Sequence, residues 1–585
     1  MRIIGIRQTG LFGGVTLGLL LNGCNSFDEA PGPESTEPRL VIPLDERAAV
    51  TSPVSPPSIS GGTLNVMADG SAVIVSDPER DRVSIVGLAS TAGSTLGLRH
   101  TVNFEPGDEP GRSVEDAEKR VHVVLRRGGA VVRIDPASGV IVDRRAVCKA
   151  PRGIAFEPTT ALVHVACAEG KLVSLPAKGG AAVRTLTLEP DLRDVLVRGS
   201  ELWVTRFKTA EVLRISSSGA LSQRVGLPQG QGTLSQPPSK SNEFTESVRP
   251  VTLQSGVAWR AVPSATGGAV IVHQQAVIDE IPIPAPSAEG SAYGGGGFDC
   301  SGIVKNVMSS VAPDGTVTTT SFHGPPLPVD IAVSADQTWV AVAHAGMVDS
   351  MAPRPFLVFP NEGGGPVAHG GGPAFFGGTA LSIMPLSGLA SSPDCNFPQG
   401  GFEQVGTSSN EPLVAVAFTP SGQLLAQTRQ PSQLLVLRDL PWGTPEVVAL
   451  PGESRLDTGH ELFHRDGGGG IACASCHPEG GEDGQTWSFA GTGVRRTQAL
   501  HVGLRDTAPF HWNGDLANLG ELMSEVFVGR MGGVKQTESR LSSLSEWLFS
   551  MKSPQAIRDV TDEAAIRGQE LFNSPAVDCV SCHSG

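Results

Sequence analysis

Residues 154–175 read IAFEPTTALVHVACAEGKLVSL, and this stretch decides the fold class. It contains three short apolar runs, separated by turn residues such as Glu157-Pro158. Short apolar runs divided in this way are typical of β-strands joined by tight turns. The helical period is almost absent from the whole of residues 61–450, so we predict a region built from strands.

The same unit recurs along the chain. A repeat of about 40 to 50 residues with about four strands is typical of a β-propeller blade. We therefore predict a mainly β protein with a propeller of about seven blades over residues 61–450, and a pair of β-sandwiches is the alternative. Further copies of the unit begin at residues 71, 120, 201, 329 and 414.

The order of apolar strand, Pro- and Gly-containing turn, and apolar strand resembles the YVTN/NHL-like propellers of exported bacterial proteins. The resemblance covers residues 61–450 and depends on the pattern, without an invariant motif. Propellers bind ligands or partners at their axial openings, but a fold does not say which. Seven histidines are scattered through this region without the spacing of metal ligands, so we assign them no role: His100, His122, His164, His273, His323, His344 and His369.

The N-terminus has the pattern of an export signal. Arg2 and Arg7 precede a short apolar stretch over residues 11–21, and Leu21-Asn22-Gly23-Cys24 resembles a bacterial lipobox, although Asn22 is not its usual small residue. We predict a lipoprotein-type signal peptide over residues 1–23 with acylated Cys24, and an ordinary secretory peptide is the alternative. The expected location is the periplasm or cell envelope, with a lipid anchor in a bacterial membrane.

Residues 24–60 are rich in Pro, Ser and Glu, which predicts a flexible tether. The net charge of −15 argues against a nucleic-acid partner. Four of the nine cysteines lie outside the lipobox and the motifs described below, and an even remainder fits an oxidising compartment. From nearness alone we predict disulfides joining Cys148 to Cys167 and Cys300 to Cys395, with free thiols as the alternative.

The pattern changes to helices after Pro451, with helices expected over residues 453–464 and 516–527, and the chemistry lies there. The motif CASCH at residues 473–477 has the spacing of covalent haem attachment, in which two thiols form thioethers with the haem vinyl groups and the histidine ligates the iron. A zinc half-site and a thioredoxin-like pair are the alternatives. A second copy, CVSCH, occupies residues 579–583. We therefore predict haem c at two sites, with Cys473, Cys476, Cys579 and Cys582 as attachment residues and His477 and His583 as proximal iron ligands.

The helix before each motif is repeated as well. GHELF at residues 459–463 matches GQELF at residues 568–572. In cytochromes c this helix packs against the C-terminal helix of the haem domain. We expect a cytochrome c-like domain over residues 451–553 and the start of a second, incomplete one over residues 554–585, with Thr561 capping its helix.

Three motifs between the haem sites resemble the bacterial di-haem cytochrome c peroxidase and MauG-like family: ACASCHP at residues 472–478, RRTQAL at 495–500 and APFHWNGD at 508–515. The resemblance implies that Trp512 is an electron conduit, and a simple packed aromatic is the alternative. The pattern departs from the family at Arg530, where members often carry a glutamate. The glycine-bounded loop at 528–533 makes Met531 the candidate distal iron ligand, with His501 and His511 as rivals. Met523 and Met551 lie within predicted helical apolar faces and are expected to be core residues.

These features favour an exported c-type cytochrome that transfers electrons to a redox partner protein, with the propeller as a docking or binding module. The alternative is a di-haem peroxidase or MauG-like oxidoreductase that reduces peroxide. A third hypothesis is a propeller that recognises a cell-surface ligand. No residue clearly supplies the acid–base group that catalysis needs, so catalytic residues stay unassigned and enzyme activity stays open.

Overall fold

The computed structural model describes residues 39–88, 95–236, 247–283, 302–346, 353, 356–359, 367–369, 380–386, 411–440, 444–553 and 562–581. Several sequence predictions fall on residues outside these ranges. They concern the signal peptide, the first part of the tether, the cap at Thr561, and Cys24, Cys300, Cys395, Cys582 and His583.

Seven antiparallel sheets follow one another along the chain and form the predicted β-propeller. Two short strands precede them, β1 (Arg39–Val41) and β2 (Leu44–Asp45). Blades 1 to 4 each contain four consecutive strands. These are β3 (Leu64–Val66), β4 (Ala72–Asp77), β5 (Arg82–Gly87) and β6 (Gly97–Asn103); β7 (Pro110–Glu115), β8 (Val121–Leu125), β9 (Ala130–Asp135) and β10 (Val140–Ala146); β11 (Pro151–Glu157), β12 (Leu162–Cys167), β13 (Lys171–Pro176) and β14 (Arg184–Thr187); and β15 (Leu192–Arg198), β16 (Glu201–Arg206), β17 (Glu211–Ile215) and β18 (Leu221–Gly226).

Blades 5 to 7 vary this plan. Blade 5 has five strands, β19 (Gly230–Gln236), β20 (Ser247–Pro263), β21 (Ala269–Val277), β22 (Val304–Val311) and β23 (Val317–Ser321). Blade 6 consists of β24 (Pro328–Val333), β25 (Trp339–His344) and β28 (Leu381–Pro385). The strands β26 (Phe356–Phe359) and β27 (Val367–His369) between them form a separate sheet with β1, in which β26 is the central strand. Blade 7 consists of β29 (Leu413–Phe418), β30 (Leu424–Thr428), β31 (Gln433–Leu437) and β32 (Glu446–Ala449).

The ring closes by packing between blades 1 and 7. Each innermost strand contacts the next one around the ring, and β29 contacts β3. Both blades are complete by themselves, so no strand is shared across the junction. Val73 and Val75 of blade 1 instead pack against Ala415 and Leu425 of blade 7. Strands such as β4 are buried on both faces by neighbouring blades, which explains their continuous apolar runs.

A histidine–serine pair joins neighbouring strands in blades 3, 5 and 6. The His164, His273 and His344 rings lie 2.8–2.9 Å from serine hydroxyl groups on the next strand of the sheet. Burial lowers the pKa of His273 and of His344 to about 4, so both rings are neutral at pH 7. Each pair links two neighbouring strands of its blade through a buried side-chain hydrogen bond. The three serines are Ser174, Ser309 and Ser382.

The helical region follows blade 7. Its elements are α1 (Thr458–His464), α2 (Cys473–Cys476), a 3-10 turn (Pro478–Gly480), the hairpin β33 (Thr486–Phe489) and β34 (Gly493–Arg496), α3 (Leu519–Leu522), a π-helical turn (Met523–Val528), β35 (Lys535–Gln536), α4 (Glu538–Ser550), α5 (Glu563–Phe572) and a 3-10 turn (Cys579–Ser581). Helix α1 packs on α4 at Gly459, whose backbone lies against the carbonyl of Ser543.

Two helix starts differ from the sequence prediction. The helix expected from residue 453 begins at Thr458, because the Asp457 side chain accepts a hydrogen bond from His460 N–H and caps it there. Asn518 likewise caps α3 through Glu521 N–H, so the helix expected from residue 516 begins at Leu519. Helix α5 is capped by Asp562, which accepts from Ala564 N–H.

The chain before blade 1 is fixed between the propeller and the helical region. Strand β2 pairs in parallel with β35, and the fully buried Asp45 lies 3.3 Å from the Arg540 guanidinium. Further along, Trp547 Nε1–H donates to Pro56 O at 2.9 Å and Ile59 N–H donates to His464 Nε2 at 3.2 Å. The predicted flexible tether over residues 24–60 is therefore corrected for residues 44–60, whose polar groups find partners about 400 residues away in the chain.

Candidate functional site

The first haem motif forms one helical turn, α2. His477 N–H donates to Cys473 O at 2.9 Å and closes the turn. The turn directs Ala474 and Ser475 into the protein and leaves Cys473 and Cys476 half-buried. Residues three apart on a helix share a face, so both thiols lie on the same side of the turn.

The His477 ring has a fixed orientation. Its Nδ1 lies 2.9 Å from the carbonyl oxygen of Gln498, and since a carbonyl only accepts, Nδ1 carries the proton. Burial lowers the pKa of His477 to about 4, so the ring is neutral and Nε2 keeps its lone pair. This is the arrangement of a histidine that ligates a metal through Nε2.

Both thiols of the motif are held in the protonated form. Burial raises the pKa of Cys473 to about 12, and burial together with the negative charge of Asp483 raises that of Cys476 well above its usual range. Zinc sites and reactive redox pairs need stabilised thiolates. A thioether sulfur is uncharged, so this apolar environment is compatible with covalent haem attachment.

The wall around the motif is apolar. Cys473 and Cys476 pack against one continuous core that joins the helical region to the inner faces of blades 5 and 6. A planar apolar group such as haem needs this kind of lining. The members contributed by the helical region include Leu462, Phe463, Ile471, Trp487, Phe489, Met523, Phe527, Met531, Leu544 and Trp547.

Met531, the predicted distal ligand, is buried in this core. It follows the π-helical turn and donates its N–H to Val526 O at 2.9 Å. Its Cβ lies beside Gly467, in the loop that leads to the motif. Met551 was expected within a helix core, but it follows the end of α4, with its sulfur against Gly480. Ligation of iron by Met531 stays a prediction.

The two rival histidines differ in setting. His501 packs on Gly481, and its Nδ1 is buried without a hydrogen-bond partner. His501 N–H also donates to Gly480 O, which places it on the segment that supports His477. His511 is half-buried, and its Nδ1 lies 3.1 Å from the Asp515 carboxylate.

Trp512 belongs to a row of aromatic rings. It stacks on Phe489 with ring centroids 5.1 Å apart, and Phe489 stacks on Trp487 at 6.1 Å. The indole N–H of Trp512 donates to Arg496 O, and that of Trp487 donates to Thr497 Oγ1. The row leads from the buried Trp487 to the half-buried Trp512, and the sequence had given no indication of the two inner rings.

Glu479, two residues after His477, reaches into the propeller. Its carboxylate lies 2.5 Å from Arg193 of blade 4, 2.9 Å from Arg152 of blade 3 and 3.9 Å from Arg126 of blade 2. Ser60 Oγ donates to the same carboxylate at 2.5 Å. Burial by itself would raise the pKa of Glu479, but the three arginines outweigh it and hold the pKa well below its usual range.

Three arginines, one in each of blades 2, 3 and 4, occupy equivalent places in their blades. The innermost strands of blades 2, 3 and 4 each have an irregular register near their start, and Arg112, Arg152 and Arg193 lie in these irregularities. Arg112 binds Asp194 at 3.1 Å, and Asp194 also binds Arg260 of blade 5 at 2.7 Å. We define the axial arginine cluster as Arg112, Arg126, Arg152 and Arg193 together with Ser60. Neither these arginines nor their partner glutamate was foreseen from the sequence.

Three further contacts join the helical region to the propeller. Lys208 of blade 4 pairs with Glu482, and Ile281, between β21 and β22 of blade 5, forms a parallel bridge with Phe489 of β33. The backbone of Gly256 lies against the Gln485 side chain. Together with the Glu479 ion pairs, these contacts bind the segment that follows the haem motif to blades 2, 3, 4 and 5.

The second motif has a different setting. Cys579 lies in a 3-10 turn without a buried residue, and helix α5 before it is also without one. The exposed side chains there include Ile566, Leu571 and Val577. Cys582 and His583 lie outside the described residues, so this attachment site stays a prediction.

Cys148 and Cys167 form the predicted disulfide, which joins the end of blade 2 to β12 of blade 3. None of the helices in the described ranges is both long and apolar enough to span a bilayer.

Comparisons with known proteins inform on the fold and not on the function. No protein-family model matches the sequence, and no curated protein matches it. Among solved structures, Kuenenia stuttgartiensis hydrazine synthase aligns over 68% of this chain and 99% of its own, at 12% identity and a TM-score of 0.45. A streptogramin B lyase aligns over 67% and 95%, at 9% identity and a TM-score of 0.38. Virginiamycin B lyase from Staphylococcus aureus aligns over 67% and 97%, at 11% identity and a TM-score of 0.36. These similarities are too low to assign a function.

Proposed function

We propose that the chain is an exported c-type cytochrome that transfers electrons through haem bound covalently at Cys473 and Cys476. The observation that carries the proposal is the hydrogen bond from His477 Nδ1–H to Gln498 O. This bond leaves Nε2 as the only lone pair on a neutral ring, next to two protonated thiols on one side of α2. The donor set fits haem c better than zinc or a redox disulfide.

In this proposal the haem supplies a one-electron Fe(III)/Fe(II) couple. Cys473 and Cys476 hold its edge, His477 binds its iron, and the Gln498 carbonyl fixes the orientation of the ligand ring. The apolar core around Leu462, Phe463 and Phe527 excludes water from the other parts of the group, which limits the solvent rearrangement that accompanies electron transfer.

The remaining parts of the proposal concern the surroundings of this site. A redox partner protein exchanges the electrons, a second haem binds at Cys579, Cys582 and His583, and acylated Cys24 anchors the protein in a bacterial membrane. The second candidate function is a di-haem peroxidase or MauG-like oxidoreductase, which reduces peroxide. The row Trp487–Phe489–Trp512 favours it to the extent that Trp512 conducts electrons between haems.

The test is expression of the full chain with a c-type haem maturation system, followed by haem staining of a reducing denaturing gel and a pyridine haemochrome assay. We expect the double variant Cys473→Ala/Cys476→Ala to lose one equivalent of covalent haem relative to the wild type. The matched control is Cys148→Ala/Cys167→Ala, which removes two thiols of the propeller and is expected to keep the full haem content. A wild-type protein without covalent haem contradicts the proposal.

Peroxide separates the two candidate functions. Low-spin haem that does not react with hydrogen peroxide supports electron transfer. A high-spin haem that reacts with peroxide rejects simple electron transfer and supports the peroxidase.

A further inference from the structure

The axial arginine cluster is a preformed site for one carboxylate. Arg193 is almost fully buried, donates to Ser60 O at 2.7 Å and stacks on the Phe207 ring with its guanidinium carbon 4.4 Å from the centroid. These contacts fix its guanidinium independently of Glu479. Buried cations need a partner because desolvating an unpaired charge is costly, and the Glu479 carboxylate provides it.

The backbone transmits the position of Glu479 to the proximal histidine. Only Pro478 separates Glu479 from His477, and its ring fixes φ. Glu479 itself has φ of 56°, a left-handed conformation that costs free energy in a residue other than glycine unless the surroundings stabilise it. The ion pairs with Arg152 and Arg193 are the contacts that hold this conformation.

The other end of the turn is tied down as well. Gly481 N–H donates to Pro478 O, and the N–H groups of Leu500 and His501 both donate to Gly480 O. The same segment, two residues earlier, supplies the Gln498 carbonyl that orients the His477 ring. The turn at 477–481 and the carbonyl that orients the ligand are therefore one connected unit, which the propeller holds through Glu479.

We propose that Glu479 is a positioning residue: by binding the axial arginine cluster, it seats the haem-bearing turn on the propeller and sets the charge environment of the iron. The proposal rests on the proposed function for its second part, whereas the seating of the turn is independent of haem. In this proposal the propeller binds a carboxylate of the same chain, that of Glu479, and so holds the helical region in place.

The seating is tested first in a haem-free background, Cys473→Ala/Cys476→Ala. A double-mutant cycle uses Glu479→Gln, Arg152→Gln and the combination, with the folding equilibrium measured by urea denaturation. We expect each single variant to be destabilised and the combination to be less destabilised than the sum, with a coupling of about tenfold or more in the equilibrium constant. Additive effects overturn the proposal.

Glu211→Gln is the matched control. Glu211 has a similar exposure to Glu479, 18% against 14% for the side chains, and it also binds two arginines, Arg206 and Arg224. It lies in β17 of blade 4 and contacts no arginine of the cluster. It is expected to show no coupling with Arg152→Gln, and Glu479→Asp, which keeps the charge, is expected to retain more stability than Glu479→Gln.

The second measurement is the reduction potential of the haem-loaded protein. Removing a negative charge near the iron favours the reduced state, and removing a positive charge disfavours it. Glu479→Gln is therefore expected to raise the potential and Arg152→Gln to lower it, each by about fivefold in the redox equilibrium, or about 40 mV at ~59 mV per tenfold. Loosening of the structure alone would move both variants in the same direction, and that result rejects the electrostatic role.

The two measurements fail in different ways. A wild type that binds no covalent haem rejects the proposed function, and the haem-free cycle still decides whether Glu479 is seated in the cluster. A haem-loaded protein without coupling between Glu479 and Arg152 rejects this inference and leaves the proposed function standing.

Discussion

The glycine at the α1–α4 contact provides a sharp test of the helical packing. A Cβ on Gly459 would lie 2.3 Å from Ser543 O and 2.6 Å from Trp547 Cβ, whereas ordinary contacts begin at 3.4 Å. Neither neighbour moves by a side-chain rotation, so α4 would retreat by about 1 Å. Overpacking of this kind costs about 1–3 kcal/mol, and the better helix propensity of alanine returns up to about 1 kcal/mol. We expect Gly459→Ala to destabilise the helix pair by about 1–2 kcal/mol.

The chain contains its own control. Gly568 occupies the same place in the repeated GxELF motif of α5, but none of the described residues lies within 4 Å of a Cβ built there. Amide hydrogen exchange of peptides from α1 and α4 measures the local opening, and we expect it to be about 5–30-fold faster in Gly459→Ala. Gly568→Ala is expected to leave these peptides unchanged and to slow exchange in α5. Equal exchange of α1 and α4 in Gly459→Ala and wild type would refute the close contact.

Three further predictions concern other parts of the chain. The pKa of His344 in the folded chain is about 4, below its ordinary value of 6.5, so between these values the unfolded chain binds a proton that the folded chain does not. The contribution of His344 to the free energy of unfolding therefore falls as the pH drops below 6.5. The destabilisation by His344→Gln should therefore shrink by about 2 kcal/mol between pH 7 and pH 5 in urea denaturation, and a constant difference contradicts the neutral buried ring. Cys148→Ser/Cys167→Ser should lower the free energy of unfolding by about 2–4 kcal/mol, and reductant should cause the same loss in the wild type but none in the variant. In the haem-loaded protein, Met531→Ala should abolish the methionine-to-iron charge-transfer band that Met523→Ala keeps, and a band that survives in Met531→Ala removes Met531 as the ligand.

The propeller was predictable because its signal is local and repeated. Alternating apolar runs and turns such as Glu157-Pro158 specify strands one hairpin at a time, and seven repetitions leave few other folds. The β26–β27 excursion to β1 was not predictable, since pairing between strands over 300 residues apart leaves no local pattern. The role of the buried histidines was also hidden, because His164 and Ser174 meet only after the two strands pair.

The residues of the proposed haem site are identified by their spacing, whereas their surroundings were not predictable. The CASCH motif identifies Cys473, Cys476 and His477 in a single turn, but the Gln498 carbonyl that orients the histidine is 21 residues away. Glu479 illustrates the same limit. A glutamate after the motif has the sequence signature of a solvated surface residue, and its burial depends on arginines from three separate blades.

The contacts of residues 44–60 constrain the order in which the parts of this protein fold. These residues leave the ribosome early, but their partners Asp457, His464 and Trp547 are synthesised between 405 and 491 residues later. Contacts of such long sequence separation close slowly, since a large loop must be ordered first. The propeller blades can form before residues 44–60 meet their partners, and the contacts with the helical region form last. A fragment that begins at residue 451 would lack the strand beside β35 and the acceptor of the Trp547 indole, so the helical region depends on the N-terminal stretch for part of its packing.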